Sequence, residues 1–475
     1  MRADLSNNLH LLWRAGFGPA TEDLTATKSL DHKELYKQLV KNSASAPAYL
    51  KVSTGSLDGL IKGIQMEGRM QELSREQKQQ VRKRNTEALK DLNLNWLSEM
   101  VESKAQLREK MAFFWHGHFA CRQINVFFQQ HLLDIIRQNA LSDFGTLLRE
   151  VSKSAAMLAF LNNQQNRKKQ PNENFAREVM ELFTLGRGQY SEQDVKEAAR
   201  AFTGWGFDIT GEFVFRKQFH DEGSKTIFGK TGNFDGDDVI SMLLENKQTA
   251  KFLTAKLLRF YVNEEVDESV LKQLSDSFYQ SGYNISRLME SIFLSSWFYE
   301  KKNIGVKVKS PVELITGIRR MIPMDFENEQ SLLLYQRLLG QILFYPPNVA
   351  GWPGGKNWID SSSLMYRLRL PRLLPEYETI GVNPKDDDDV MMGQSETAAG
   401  RTKGMMNVTV DWPAYTAQFK EIPREQLGVA IASRLLLTGT INLNHLNTFA
   451  DMAGRESYIS SLTIQLMSTP EYQLM

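Results

Sequence analysis

Along this chain the clearest order is in where the apolar residues fall. Over Pro171 to Trp205 they recur at helical spacing. Phe175, Ala176, Val179, Met180, Leu182 and Phe183 share one arc at about 100° per residue, and Glu173, Asn174, Arg177, Glu178 and Glu181 fill the opposite one. Asn172 is placed to cap this helix and Gly186 to stop it. A short turn to Tyr190 leads to Ser191, which with Asp194 forms a capping-box pattern opening a second helix through Val195, Ala198, Ala199 and Phe202 that ends at Gly204. Two helices joined this tightly are expected to pack together. Glu178 and Glu181 then stand side by side on one face.

The rest of the chain reads mostly at the same period. Leu11, Leu12, Trp13 and Phe17 cluster near the start, and a helix is predicted from Asp31 through Val40. Gln71 to Lys90 is so rich in Gln, Glu, Lys and Arg that, as a helix, it has little apolar face and is expected to be an exposed arm or a helix bridging over solvent. Met111 to Cys121 is apolar nearly all the way round, with Leu107, Met111, Phe114 and His118 on one stripe, so this helix should be buried. Helices follow over Phe127–Ala140, from a Ser142 cap, and over Ser154–Leu161. The period changes after Trp205. Glu212 to Phe219 and Thr226 to Phe228 read as a hairpin turning at Asp221-Glu222-Gly223. Asp235, Asp237 and Asp238 fit the cap of a helix starting at Gly236 better than a metal triad. Helices are predicted again over Asp238–Val262, Asp267–Tyr299, from Lys309-Ser310-Pro311, and after a Ser361 cap.

The expected fold class is therefore mainly α: a multi-helix, bundle-like globular core with one small β-hairpin insertion. Its organisation reads as an N-terminal helical segment with a charged arm over 1–90, a helical core over 91–375, a linker over 376–410 with the acidic run Asp386 to Asp389, and a C-terminal helical subdomain over 411–475 packed on the core.

Composition narrows the function classes. A chain of 475 residues with a net charge of +1 offers no bulk attraction to nucleic acid or to an anionic membrane. Cys121 is the single cysteine, which excludes an intrachain disulfide and a Cys-based zinc site. The polar first ten residues and the lack of an apolar run near 20 residues lead us to expect a soluble, cytoplasmic protein. Gly-x-Ser-x-Gly, Walker-type, His-Glu-x-x-His and dinucleotide-binding motifs are absent.

Candidate chemistry rests on polar residues set among apolar ones. Two carboxylates one helical turn apart, Glu178 and Glu181, serve either as a solvated face or as half of an acid/base or metal site. His116 and His118 lie in the buried helix and need partners. Two residues apart they point about 200° from each other on a helix, so joint ligation of one ion requires a distortion at Gly117. His220 and Asp221 sit in the hairpin with Lys225, and His220 is the candidate to titrate near neutrality. Arg14 and His10 read as surface or internally satisfied groups. The loop Tyr345 to Trp358 carries three prolines and three glycines. It reads as a packing lid or as a cleft wall in which Trp352 or Trp358 stacks on a ligand.

Several of these stretches together resemble the bacterial family catalogued as domain of unknown function 1800. They are Leu11 to Pro19, Phe114 to Phe119, Arg137 to Leu141, Pro171 to Gly186, Ala199 to Trp205, His220 to Lys225 with Gly229 and Gly232, Lys309 to Glu313, Gly340 to Trp358 and Ser468 to Leu474. The resemblance implies a mainly helical fold and a protein partner encoded nearby. It points to His116, His118, Arg177, Glu178, Glu181, Arg200, His220, Asp221, Lys225 and Trp352 but supplies no reaction. Where its Trp-His-Asn-His pattern has Asn, this chain has Gly117. Two functions follow as expectations. One is an enzyme, metal-dependent or acid/base, in which His116, His118, Glu178, Glu181 and His220 gather in one pocket, the first four around a divalent ion. The other is a non-enzymatic scaffold or partner-binding protein whose buried polar network is structural.

Overall fold

The computed structural model describes residues 3–21, 23, 30–52, 74–373, 408–437 and 443–475. It is mainly helical, with α1 (Ala3–Ala15), α2 (His32–Ser43), α3 (Arg75–Glu102), α4 (Gln106–His118), α5 (Val126–Asn139), α6 (Phe144–Lys153), α7 (Ala155–Phe160), α8 (Asn174–Met180) and α9 (Glu192–Ala201) in the first half. The second half holds α10 (Gly236–Glu245), α11 (Lys247–Tyr261), α12 (Glu268–Gln280), α13 (Ile285–Phe293), α14 (Pro311–Met321), α15 (Gln330–Leu338), α16 (Ser361–Leu373), α17 (Trp412–Ala417), α18 (Leu427–Leu435), α19 (Leu443–Asn447) and α20 (Arg455–Met467). No helix among the described residues is long and apolar enough to cross a membrane.

The caps explain why the helices start where they do. Ser191 and Asp194 reciprocate as a capping box at α9, as do Asp235 and Asp238 at α10, so the acidic triplet is helix-start chemistry. At α6 the cap is Asp143, one residue beyond the predicted Ser142, and at α16 Asp360 accepts from the Ser362 and Ser363 amides in place of Ser361. A carboxylate at a helix N-terminus gains from the helix dipole as well as from the hydrogen bond.

The β structure differs from the single hairpin expected. β1 (Trp205–Phe207) pairs with β2 (Phe213–Phe215), and β3 (Lys225–Ile227) pairs with β4 (Lys230–Gly232), all antiparallel. Each strand thus finds its nearest neighbour in sequence, which costs less loop-closure entropy than the pairing across Asp221-Glu222-Gly223. The β3–β4 turn puts Phe228 and Gly229 at φ 49° and 76°, the doubly positive geometry whose twist matches a two-residue hairpin. The amide of Phe228 is held by the Asp194 carboxylate. A third pair joins β5 (Met324–Phe326) to β6 (Val408–Val410). The expected linker over 376–410 thus ends in a strand, and residues 376–407 lie outside those described.

The boundary expected at residue 90 falls inside a helix. α3 is one unbroken 28-residue helix, exposed over much of its first half yet burying Leu92, Trp96, Leu97 and Met100 in the common core. α1 belongs to that core too: Trp13 is buried, and Gly317 on α14 leaves the space its ring fills. The C-terminal tail folds back, with Leu474 bridged to Val308 and the Met475 and Lys307 backbones exchanging hydrogen bonds.

One buried ion cluster pins α3, α4 and α5 together. Glu109 is fully buried and accepts from Arg137 through both carboxylate oxygens at 2.9 Å, from Arg108 Nε at 3.1 Å and from Trp96 Nε1 at 3.1 Å. Four donors on one carboxylate offset the desolvation that burying it entails.

Candidate functional site

The helix predicted from Asn172 to Leu185 forms from Asn174, with Glu173 at its N-cap in place of Asn172, whose side chain accepts from the Asn174 amide, and its last turn changes type. Glu181–Leu185 is a π turn, closed by Gly186 at φ 84°. Thr184 causes the widening: its hydroxyl donates to the Val179 carbonyl five residues back at 2.7 Å and to that of Met180 at 3.2 Å. On the outer face Glu181 accepts from the Tyr190 hydroxyl, and Arg177 makes a two-pronged pair with Glu192 and a single bond to Glu173. The Glu178 carboxyl is raised above the usual range by partial burial and then by Glu181 beside it.

The inner face of that turn meets α4. His118 contacts the Phe183 carbonyl through Nε2 at 3.2 Å. A carbonyl only accepts, so Nε2 carries the proton and Nδ1 is left a bare acceptor, buried without a partner. Phe114, Trp115, Phe119, Phe144 and Phe183 surround the ring. Burial, and secondarily Lys256, drives its pKa well below the ordinary imidazole value. His116 points elsewhere, as the helical spacing requires. Its Nε2 accepts the Phe344 amide at 3.2 Å, and its ring lies against Trp96, Phe344 and Trp352. Burial lowers its pKa to about 3.

The loop Tyr345 to Trp358 closes over this end of α4. Tyr345 stacks on the Arg122 guanidinium at 4.0 Å, and Trp352 lies 5.4 Å from the His116 ring. Trp358 is buried beneath the start of α16, where its carbonyl accepts from Ser363. Gly351, at φ 85°, sits on the Gly117 carbonyl, where an added Cβ would come within 2.5 Å.

The hairpin residues form a third, separate group. His220 donates from Nδ1 to the Thr203 carbonyl at 2.9 Å and packs on Phe215. Arg200 grips Asp221 through two nitrogens, at 2.8 and 3.2 Å, which holds that carboxyl below its usual range. Buried Lys225 donates to the Asp221 and Gly223 carbonyls and to Asn233. The expected single pocket is therefore not assembled. His118 touches the backbone of the segment that carries Glu178 and Glu181, and among the described residues no hydrogen bond or ring contact joins His220 or Asp221 to His116, His118, Glu178 or Glu181. Among the described residues no three His, Cys, Asp or Glu side chains are grouped to hold a metal ion.

A model of one protein family matches residues 10–474, nearly the whole length. The chain belongs to the family of proteins of unknown function called DUF1800. No curated protein and no solved structure matches it. The DUF1800 resemblance placed Asn where this chain has Gly117, and a Cβ built there meets nothing within 4 Å. The position therefore has room for the larger residue.

The most concentrated chemistry in this DUF1800 fold is not apparent as a group in the sequence. Glu313, buried on the first turn of α14, accepts from Lys110 Nζ at 2.5 Å through one oxygen and from the Ser310 amide at 2.7 Å through the other. Arg14, Lys307, Lys309 and Arg367 are buried around it. Burial would raise the Glu313 carboxyl, yet Lys110 and Lys307 hold it at about 2. Burial lowers Lys307 to about 7 and Arg14 to about 9. In the sequence Lys309 reads as a helix start and Arg14 as a satisfied group. The available signal was cations within apolar stretches, as with Lys110 beside Met111, Ala112, Phe113 and Phe114.

Two outcomes follow. Gly351→Ala should destabilise the protein by roughly 1–3 kcal/mol, from strain at positive φ and the carbonyl contact, whereas Gly117→Ala should be neutral or stabilise by up to about 1 kcal/mol; denaturant unfolding monitored by tryptophan fluorescence compares them. Between the ordinary imidazole value of 6.5 and about 3, the unfolded chain binds a proton at His116 that the native state refuses, so stability falls as pH drops through that range. His116→Gln, which keeps an acceptor for the Phe344 amide, should make that decline shallower, and an unchanged slope would contradict the assignment.

Proposed function

We propose that this chain works as a helical scaffold for a protein partner, in which the buried polar residues lock helix packing. The observation that carries this reading is the use each imidazole makes of its ring. His116, His118 and His220 each spend a nitrogen on a backbone group 228, 65 and 17 residues away, respectively. The ring nitrogens join distant segments and do not converge on a shared ligand. Arg200–Asp221 and Arg137–Glu109 act alike, tying loop to helix and helix to helix.

His118→Ala tests it. The substitution empties an aromatic-lined site and frees the Phe183 carbonyl, so a loss of about 3–5 kcal/mol is expected, while chelation with EDTA should leave the melting temperature of the parent protein unchanged. Stoichiometric divalent metal in natively purified protein, lost on chelation and absent from the variant, would overturn the scaffold reading.

The outer face of the π turn favours a second reading, general acid/base chemistry without a metal. Its basis is the upward shift of Glu178 beside the Tyr190–Glu181 pair. In carbon-13 NMR titration Glu178 should ionise above the ordinary 4.5 and move back toward it in Glu181→Gln. A Glu178 that titrates normally in the parent protein removes the basis for this reading.

A further inference from the structure

The buried side chains around Glu313 include more basic groups than acidic ones. Five basic side chains, Arg14, Lys110, Lys307, Lys309 and Arg367, are buried there with one buried carboxylate, and burial lowers Lys307 to about 7 and Lys309 well below the ordinary lysine value. Both oxygens of Glu313 are already engaged, by Lys110 and by the Ser310 amide. The other four meet dipoles and ring faces. Arg14 donates to the carbonyls of Asn303 at 2.9 Å and Tyr261 at 3.4 Å. Lys307 donates to that of Arg259 at 3.2 Å, and Lys309 to that of Tyr472 at 2.6 Å. Arg367 donates to the Lys309 carbonyl at 2.7 Å and to Gln473 at 3.4 Å.

The groups belong to one centre. Lys110 and Lys307 flank the Phe260 ring, at 5.7 and 4.9 Å from its centroid, and Lys309 lies 3.7 Å from the centroids of both Trp13 and Tyr472. Lys110 also donates to the Trp13 carbonyl, which places it next to Arg14 and Lys309. Nε of Arg14 and Nε of Arg367 are buried donors with no partner. A buried ion without a counter-charge costs several kcal/mol, and an orphaned guanidinium N–H adds the cost of an unmade hydrogen bond. The cluster is thus incomplete as a purely internal structure.

We propose that this centre binds a phosphate group, free or as the phosphomonoester of a small metabolite. A dianion with several terminal oxygens answers more of the surplus than a single carboxylate can, and it suits guanidinium forks and lysine point charges together. Lys307 is the least buried of the six charged groups, 7% exposed against 0–2% for the others. The ligand would approach from its side, where the exposed Glu264 carboxylate also acts on Lys307 and would have to be displaced from it. This inference is independent of the scaffold reading, since it uses none of the residues that reading rests on.

The test uses the full chain prepared in phosphate-free buffer. Melting temperature is followed against inorganic phosphate, glycerol phosphate, malonate and chloride at matched ionic strength, with native mass spectrometry of the same samples. A saturable rise with phosphate, or with the phosphomonoester, accompanied by a one-to-one adduct, is expected; which of the two binds more tightly separates the free ion from the ester. Lys309→Met should weaken that affinity at least about 30-fold, while Lys217→Met, on an exposed loop, should leave it unchanged. Arg14→Gln is the second variant, in case Lys309→Met fails to fold. A rise with malonate alone, or no saturable rise with any anion, overturns the proposal. A Lys309→Met protein more stable than the parent in every buffer does so too, because removing an uncompensated charge would then be a plain gain.

Discussion

The contact between the Lys110 ammonium and the Glu313 carboxylate, 2.5 Å apart and shut away from water, sets the terms for the middle of this molecule. It joins α4 to α14 across 203 residues of sequence, and neither partner could stay charged in that interior alone. Around it the chain has to bring α1, the segment 303–309 and the C-terminal tail to one place. The remaining basic groups bond to backbone carbonyls of Asn303 and Lys309 in that segment, of Tyr472 in the tail and of Arg259 in α11. Continuous hydrogen bonding of the tail to Lys307 and Lys309 follows from the same arrangement.

Glu109 has the corresponding role on the adjacent face of α4. Neighbouring residues of one helix, Glu109 and Lys110, each bury a charge and send it in a different direction, one to α3 and α5, the other to α14. A helix apolar all round is held in register weakly by dispersion alone, since many rotations bury similar area. Two oppositely charged side chains with fixed partners remove that freedom. The C-terminal end of the same helix then presents His116 to the 344–352 loop and His118 to the π turn, each at a fixed angle.

Legibility from sequence followed the range of the interactions. Capping boxes at Ser191 and Asp235, the stop at Gly186 and the all-round burial of Met111 to Cys121 could be read because they depend on residues within one or two turns. The strand pairings could not. Phe213–Phe215 turned back to Trp205–Phe207 instead of forward, a choice between two short loops that propensity does not resolve. The π turn was equally hidden, because it rests on one hydroxyl, Thr184, reaching a carbonyl that an ordinary helix would have used otherwise.

By itself the amino-acid sequence determined a mainly helical chain, the helix starts at Ser191, Asp235 and Ser310, the stop at Gly186 and membership of a family. Periodicity and capping are local, so they survive without knowledge of partners. Only the tertiary structure decided what each polar residue is for. It sent the imidazoles near Gly117 to two different neighbours and gathered Arg14, Lys110, Lys307, Lys309 and Arg367 about a single glutamate. Charges far apart along the chain acquire meaning only when packing removes the water between them, because the strength of their interaction is set by that exclusion and not by their order.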